Sequence, residues 1–167
     1  MKKMHTLLQA LADHHLTLGA VESLSGGRFA DEACFYPGAS AVFKGSLVTY
    51  TPDVKIACAG VKKETIEKYG IVSPQVAAEM ARGGKKALGV DVCLSCTGNA
   101  GPTVQEGGAE VGDVCIGMSY KGSTWVVSVK FGQRERDQIR TLTVSSMVDF
   151  AMSLFRKALK PEKVVED

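Results

Sequence analysis

No apolar run in this sequence approaches the roughly 20 residues that a membrane-spanning helix needs, so no bilayer span is expected. The opening stretch, MKKMHTLLQALADHH, carries charge at one end but neither the apolar core nor the cleavage site of a secretion signal. It reads instead as an amphipathic helix of a cytoplasmic protein. Charge of one sign is missing too: 20 Lys and Arg against 18 Asp and Glu leave a net charge of +2. Nucleic-acid binding needs clustered cations, and the densest basic run, Arg134 to Arg140, is interrupted by Glu135 and Asp137. No nucleic-acid partner is expected. Histidine is scarce. His5, His14 and His15 all fall in the first helix, away from every candidate loop, which weakens a Ser-His-Asp reading. The five cysteines, an odd number without a secretion signal, argue for reduced thiols. Cys93 and Cys96 have C-x-x-C spacing, but they lie in a buried-strand pattern and no second pair completes a zinc site. No metal and no cofactor is expected.

What remains is an ordinary globular composition, 45% apolar and 23% charged over 167 residues. Without a visible repeat or linker, residues 1–167 read as one domain, with 161–167 as a frayed tail. Apolar periodicity gives a helix over 2–14, a short strand LTLGAVES, a helix from Gly26 to Phe35 and a strand AVFKGSLVTY. Short helices are expected around 53–58 and in KKETIEKYG. The clearest helix follows, with Ser73 as cap, Pro74 in the first turn and Gly89 as stop. VDVCLSC reads as a strand buried on both faces. DVCIGMSY and TWVVSVKF form a hairpin across Lys121-Gly122-Ser123. A last helix runs from Asp137 to Leu159 with Ile139, Leu142, Met147, Phe150, Leu154 and Phe155 on its apolar face. Helices before, between and after strands predict a three-layer α/β/α sandwich around a mixed central sheet.

Three loops beyond strand ends could carry chemistry. In ESLSGG, Ser23 ends a strand just before a helix, so it is either a nucleophile or a cap; Ser25 is a cap candidate, and Gly26 and Gly27 allow close backbone approach. The phosphate-binding spacing G-x-x-x-x-G-K-[ST] is absent. In VTYTPDVK, Lys55 is a solvated charge or, if burial lowers its pKa, a base for serine, and Tyr50 packs or orients. The third loop, SCTGNAGPTVQEGGAEVG, is long, polar and glycine-rich; Thr97 can donate a hydrogen bond there.

Together these loops resemble the C-terminal domain of CinA, the competence/damage-inducible protein family, whose stand-alone members are nicotinamide mononucleotide amidohydrolases of the PncC type. VESLSGG, VTYTPDVK, GIVS and TGNAGP are similar to the family's AESCTGG, VTYSNEAK, GAVS and TGIAGP, in the same order. YPGASAVFKGSLVTY and FGQRERDQIR extend the likeness, which covers roughly residues 3–159. The resemblance implies an amidase that releases ammonia from nicotinamide mononucleotide, a small-molecule nucleotide substrate, with no required metal and a homo-oligomeric, dimer-favoured assembly. By motif position it implies Ser23 as nucleophile, activated by Tyr50 and Lys55. Ser25, Gly26, Gly27, Thr97 and Gly98 would frame substrate and oxyanion, and Arg136 would hold the phosphate. A related amidase with another substrate, and a non-catalytic nucleotide-binding module, are the alternatives. The sequence departs from the family at Leu24 and Ser25, at Asn99, at GAEVG in place of EKPVG, and at Arg134, a second candidate for the phosphate. These departures suggest a change on the substrate side more than at the catalytic residues.

Overall fold

The computed structural model describes residues 2–105, 107–156 and 162–166. In chain order the elements are α1 (Lys2–Asp13), β1 (Leu18–Glu22), α2 (Arg28–Cys34), a single 3-10 turn (Ala39–Ala41), β2 (Phe43–Val48), α3 (Pro52–Ala59), α4 (Lys63–Tyr69), α5 (Pro74–Leu88), β3 (Val92–Gly98), β4 (Asp113–Tyr120), β5 (Ser123–Lys130), α6 (Arg136–Arg156) and β6 (Glu162–Glu166). β3 is buried at all seven positions, which requires cover on both faces. It lies inside one sheet of order β2-β1-β3-β4-β5-β6. β2, β1 and β3 are parallel, and β3 to β6 are antiparallel neighbours. α1, α2 and α6 cover one face over a core that includes Leu7, Leu11, Phe29, Leu94, Ile116 and Met147. α3, α4 and α5 cover the other, around Val21, Ala59, Val76, Met80 and Cys93. This is the expected α/β/α sandwich with a mixed sheet. No helix of the described chain is long and apolar enough to cross a membrane.

The local signals act as expected. Ser73 accepts the Val76 amide at 3.2 Å with Pro74 at the start of α5, and Gly89 closes that helix in the left-handed region. Lys121 (φ 48°) and Gly122 (φ 70°) make a two-residue hairpin turn in which Tyr120 pairs with Ser123. Cys93 and Cys96 sit three apart on a strand, so they face opposite sides; Cys93 joins the α3–α5 core and Cys96 the α1–α2–α6 core.

Two expectations are corrected. Glu162–Glu166 is an edge strand antiparallel to β5, where a frayed tail was expected. α6 starts at Arg136; Ile139, Met147 and Phe150 of its expected apolar face are buried, joined by Thr143, Val144, Val148, Ala151 and Met152, while Leu142 is only partly buried. The side chains of Leu154 and Phe155, and residues 157–159, lie outside the described residues.

Helix α5 carries Gly83 and Gly84 in its interior, where glycine costs about 1 kcal/mol each relative to alanine. Close packing accounts for both. A Cβ at Gly83 would overlap the Ala59 carbonyl at the end of α3, and one at Gly84 would overlap the Val21 side chain of β1. Gly83→Ala is therefore expected to destabilise the fold by about 1–3 kcal/mol despite alanine's better helix propensity. Thermal unfolding measures it, and an unchanged or raised Tm would contradict the packing account.

Candidate active site

Parallel pairing brings the carboxyl ends of β1, β2 and β3 to one edge of the sheet, the usual site position in open α/β sheets. Glu22 pairs with Val48 at the end of the β1–β2 ladder, and the Thr49 amide donates to the Glu22 carbonyl at 2.8 Å. Ser23 thus leaves the sheet beside Thr49. The chain turns at Pro52 into α3, and Lys55 in the first turn of α3 comes back against both strands. Its side chain is 1% exposed. Its Nζ lies 2.8 Å from Ser23 Oγ, 2.6 Å from the Thr49 carbonyl oxygen and 3.3 Å from that of Tyr50. Burial pushes its pKa down from about 10.5 to about 8, partly offset by the nearby Cys96 sulfur.

The two carbonyls can only accept. A protonated Lys55 donates one hydrogen to each of its three neighbours. A neutral Lys55 has two N–H bonds and one lone pair. With both N–H bonds taken by the carbonyls, the lone pair faces the Ser23 hydroxyl, as a general base requires.

Ser23 opens onto two cavities. A cleft of about 810 Å³ is lined by Ser23, Tyr50, Lys55, Tyr69, Thr97 and Gly98 among others. A smaller cavity of about 160 Å³ is lined by Ser23, Leu24, Tyr50, Gly98, Gln105 and Arg136 among others. Tyr50 is 56% exposed, and its phenol oxygen accepts from Arg136 at 2.8 Å. Arg136 also donates to the Gly101 carbonyl at 2.6 Å. Arg134 turns back to the Phe131 carbonyl and shares an outer groove with Arg136. Thr97 is buried and donates to the Ile71 carbonyl at 2.8 Å, tying β3 to the segment before α5.

Ser25, Gly26 and Gly27 are not where the motif placed them. Ser25 is fully buried and donates to Glu22 Oε1 at 2.8 Å; it makes no cap to α2. Glu22 is fully buried as well, and it also accepts the amides of Phe29 and Ala30 and the hydroxyl of Ser46. The first amides of α2 are therefore committed to an internal carboxylate and offer nothing to an oxyanion. Gly26 and Gly27, at φ 58° and 97°, make the left-handed turn and line neither cavity. Asn99 is likewise not on the substrate side. It is 2% exposed, donates to the Thr103 and Ala109 carbonyls and accepts the Gly101 amide. It staples the loop that brings Gln105 to the site.

Glu22, Gln105 and Arg140 escaped the sequence reading. An acidic residue closing a buried strand before a serine-glycine turn was the available signal for Glu22. For Arg140 it was the i, i+4 spacing from Arg136 at a helix start. Arg140 donates from Nε to the Leu24 carbonyl at 2.8 Å and from Nη2 to the Ser25 carbonyl at 3.1 Å.

A family model for the CinA C-terminal domain matches residues 1–159. A CinA-like protein of Petrotoga mobilis is 42% identical over 135 residues, which cover 81% of this chain and 33% of the relative. A putative competence-damage inducible protein of Clostridium novyi is 39% identical over 155 residues, covering 90% of this chain and 36% of the relative. The chain thus spans about a third of the length of these curated relatives. Among solved structures, a CinA-superfamily protein of Escherichia coli is 28% identical with a TM-score of 0.88, covering 91% of this chain and 88% of that one. A competence/damage inducible protein of Agrobacterium tumefaciens is also 28% identical at a TM-score of 0.88, covering 92% and 94%.

The buried lysine has a thermodynamic signature. Between about pH 8 and 10.5 the unfolded chain holds the Lys55 proton and the folded chain does not, so stability rises with pH in that window. Relative to Lys55→Met, the native sequence is expected to gain up to about 3 kcal/mol across it, at ~1.4 kcal/mol per pKa unit. Denaturant melts at pH 7 to 10 measure this; a constant difference between the two proteins would show that Lys55 is not shifted.

Proposed function

This chain belongs to the CinA C-terminal domain family, and from that premise we propose that it is a serine amidohydrolase that converts nicotinamide mononucleotide and water to nicotinate mononucleotide and ammonia. The observation that carries the reading is the buried Lys55 Nζ at 2.8 Å from Ser23 Oγ. Amide cleavage needs a nucleophile, a base to take its proton and an acid to release the amine. Lys55 serves as both base and acid. As Ser23 Oγ attacks the carboxamide carbon, its proton passes to the Lys55 lone pair. The C–N bond breaks, Lys55 returns that proton to the leaving nitrogen, and ammonia departs from an acyl-serine ester. Water then attacks the ester, giving its proton to Lys55; the ester C–O bond breaks and Ser23 is reprotonated.

The carboxamide is placed at Ser23 with its ring in the large cleft. Tyr50 borders both cavities and orients the substrate, with Thr97 and Gly98 at the cleft wall. Arg136 is assigned the phosphate, because its planar donor fork suits that anion. Arg134 is the weaker candidate, since it lines only the outer groove while Arg136 also borders the small cavity beside Ser23. A second reading, an amidase for a different amide, is favoured by Gln105, which borders both cavities at the loop that departs from the family. A panel of amide-bearing nucleotides and small amides decides between them.

Ser23→Ala is expected to lower ammonia release from nicotinamide mononucleotide by about 1,000-fold or more. Equal rates would remove Ser23 as the nucleophile. The working base is neutral Lys55, so kcat/KM is expected to rise with pH through about 8 and level off above it. A profile flat from pH 6 to 10 would remove Lys55 from the base role.

A further inference from the structure

The nucleophile's turn is gripped from two sides, by β3 and by α6. Beneath it, Ser25 Oγ lies 3.2 Å from the sulfur of Cys96 and donates to Glu22 Oε1 at 2.8 Å. Above it, the Arg140 guanidinium takes the carbonyls of the two residues that follow the nucleophile. Each peptide unit is planar, so its C=O and N–H point opposite ways. Arg140 holds the Leu24 carbonyl, so the same unit's Ser25 N–H points the opposite way. The next unit is fixed likewise: Arg140 holds the Ser25 carbonyl, and the Gly26 amide closes on the Ser23 carbonyl at 3.0 Å. The two peptide planes that follow Leu24 and Ser25 are thereby set.

The surrounding residues make room for this fork. Gly26 is favoured by its φ of 58°, and a Cβ there would lie 2.9 Å from Arg140 Nη2, close enough to make the guanidinium shift. On α6, Asp137 one turn before Arg140 accepts from Arg28 at 2.7 Å, and Thr141 just after it accepts from Arg28 at 2.9 Å. These contacts stitch the start of α2 to α6 without touching the Ser23–Ser25 backbone. Arg136 on the same face reaches Tyr50.

We propose that Arg140 is a positioning residue of the reaction: its fork on the Leu24 and Ser25 carbonyls holds the turn so that Ser23 Oγ stays within reach of Lys55 Nζ. The inference rests on the amidohydrolase reading for its substrate, but not for its readout. Ser23 can be interrogated directly with a fluorophosphonate, whose phosphorus the serine oxygen attacks with loss of fluoride while Lys55 takes the proton. A misplacement of about 1 Å can cost about 100-fold in rate.

The experiment compares the full chain with Arg140→Lys, Arg140→Ala and, as a control of the α2–α6 stitch, Arg28→Ala. Fluorophosphonate labelling rate, kcat and KM for nicotinamide mononucleotide, and Tm are measured for each. For both Arg140 variants, labelling and kcat are expected to fall together by about 10- to 100-fold, with KM changed less than about 2-fold. Millimolar guanidinium ion is expected to restore part of the Arg140→Ala rate, and Arg28→Ala to label at the native rate. Native labelling by Arg140→Lys, or a loss that Arg28→Ala reproduces, would overturn the proposal, since either would make Arg140 a packing contact only. A native chain that labels Ser23 without deamidating the nucleotide would overturn the substrate reading alone, and labelling would still judge Arg140. A native chain whose Ser23 never labels would overturn both.

Discussion

A lysine ammonium is among the costliest groups to bury, and Lys55 is buried beside two carbonyls and a hydroxyl rather than beside a carboxylate. A carboxylate would hold the proton on. Neutral acceptors solvate the ammonium without raising its pKa enough to offset burial, so the amine can lose its proton near neutrality. The rest of the site follows from supplying those acceptors. Thr49 and Tyr50 present their carbonyls because β2 ends at Val48, its last pair with β1. Lys55 reaches them because Pro52 and Asp53 start α3 directly afterwards. α3 in turn lies close enough only because Gly83 lets its last carbonyl touch α5.

The turn after β1 obeys a second constraint. Burying Glu22 requires donors for its oxygens, and it has four: Ser25, Ser46 and the first amides of α2. The positive end of that short helix is thus spent on a charge inside the protein. What resembles an anion cradle is a mount, stiffened by Glu22 below and Arg140 above, that presents one hydroxyl at the sheet's edge.

The layered fold was legible because its signals are local: an unbroken apolar strand, a Ser-Pro helix start, a two-residue hairpin turn. Ser23 and Tyr50 stood out at strand ends and Lys55 five residues further on, beyond the Pro52 turn, but the sequence left Lys55 open between base and solvated charge. Its burial depends on where α3 docks, and that is set by Gly83, 28 positions further on, whose pairing with Ala59 has no local mark. Ser25 and the two glycines were misread because serine-glycine runs serve both as anion sites and as tight turns, and a preceding buried acid decides between them. Glu162–Glu166 was read as tail because its two valines are flanked by charges. Charged flanks are also how an edge strand resists pairing with other chains.

The departures from the family pattern fall into place by burial. Leu24 is 4% exposed within the core shared with α1, α2 and α6, so its side chain answers to packing. What Arg140 uses at that position is a carbonyl, which any residue supplies. Asn99 is different, because its side-chain amide binds three backbone groups of its own loop. An apolar residue there can bind none of them, so a loop built on it must close in another way. The same loop sets Gln105 between the two cavities, next to Ser23. Asn99 thus shapes the loop that carries Gln105 without lining either cavity itself, while the Ser23–Lys55 pair is held separately by β1, β2 and α3.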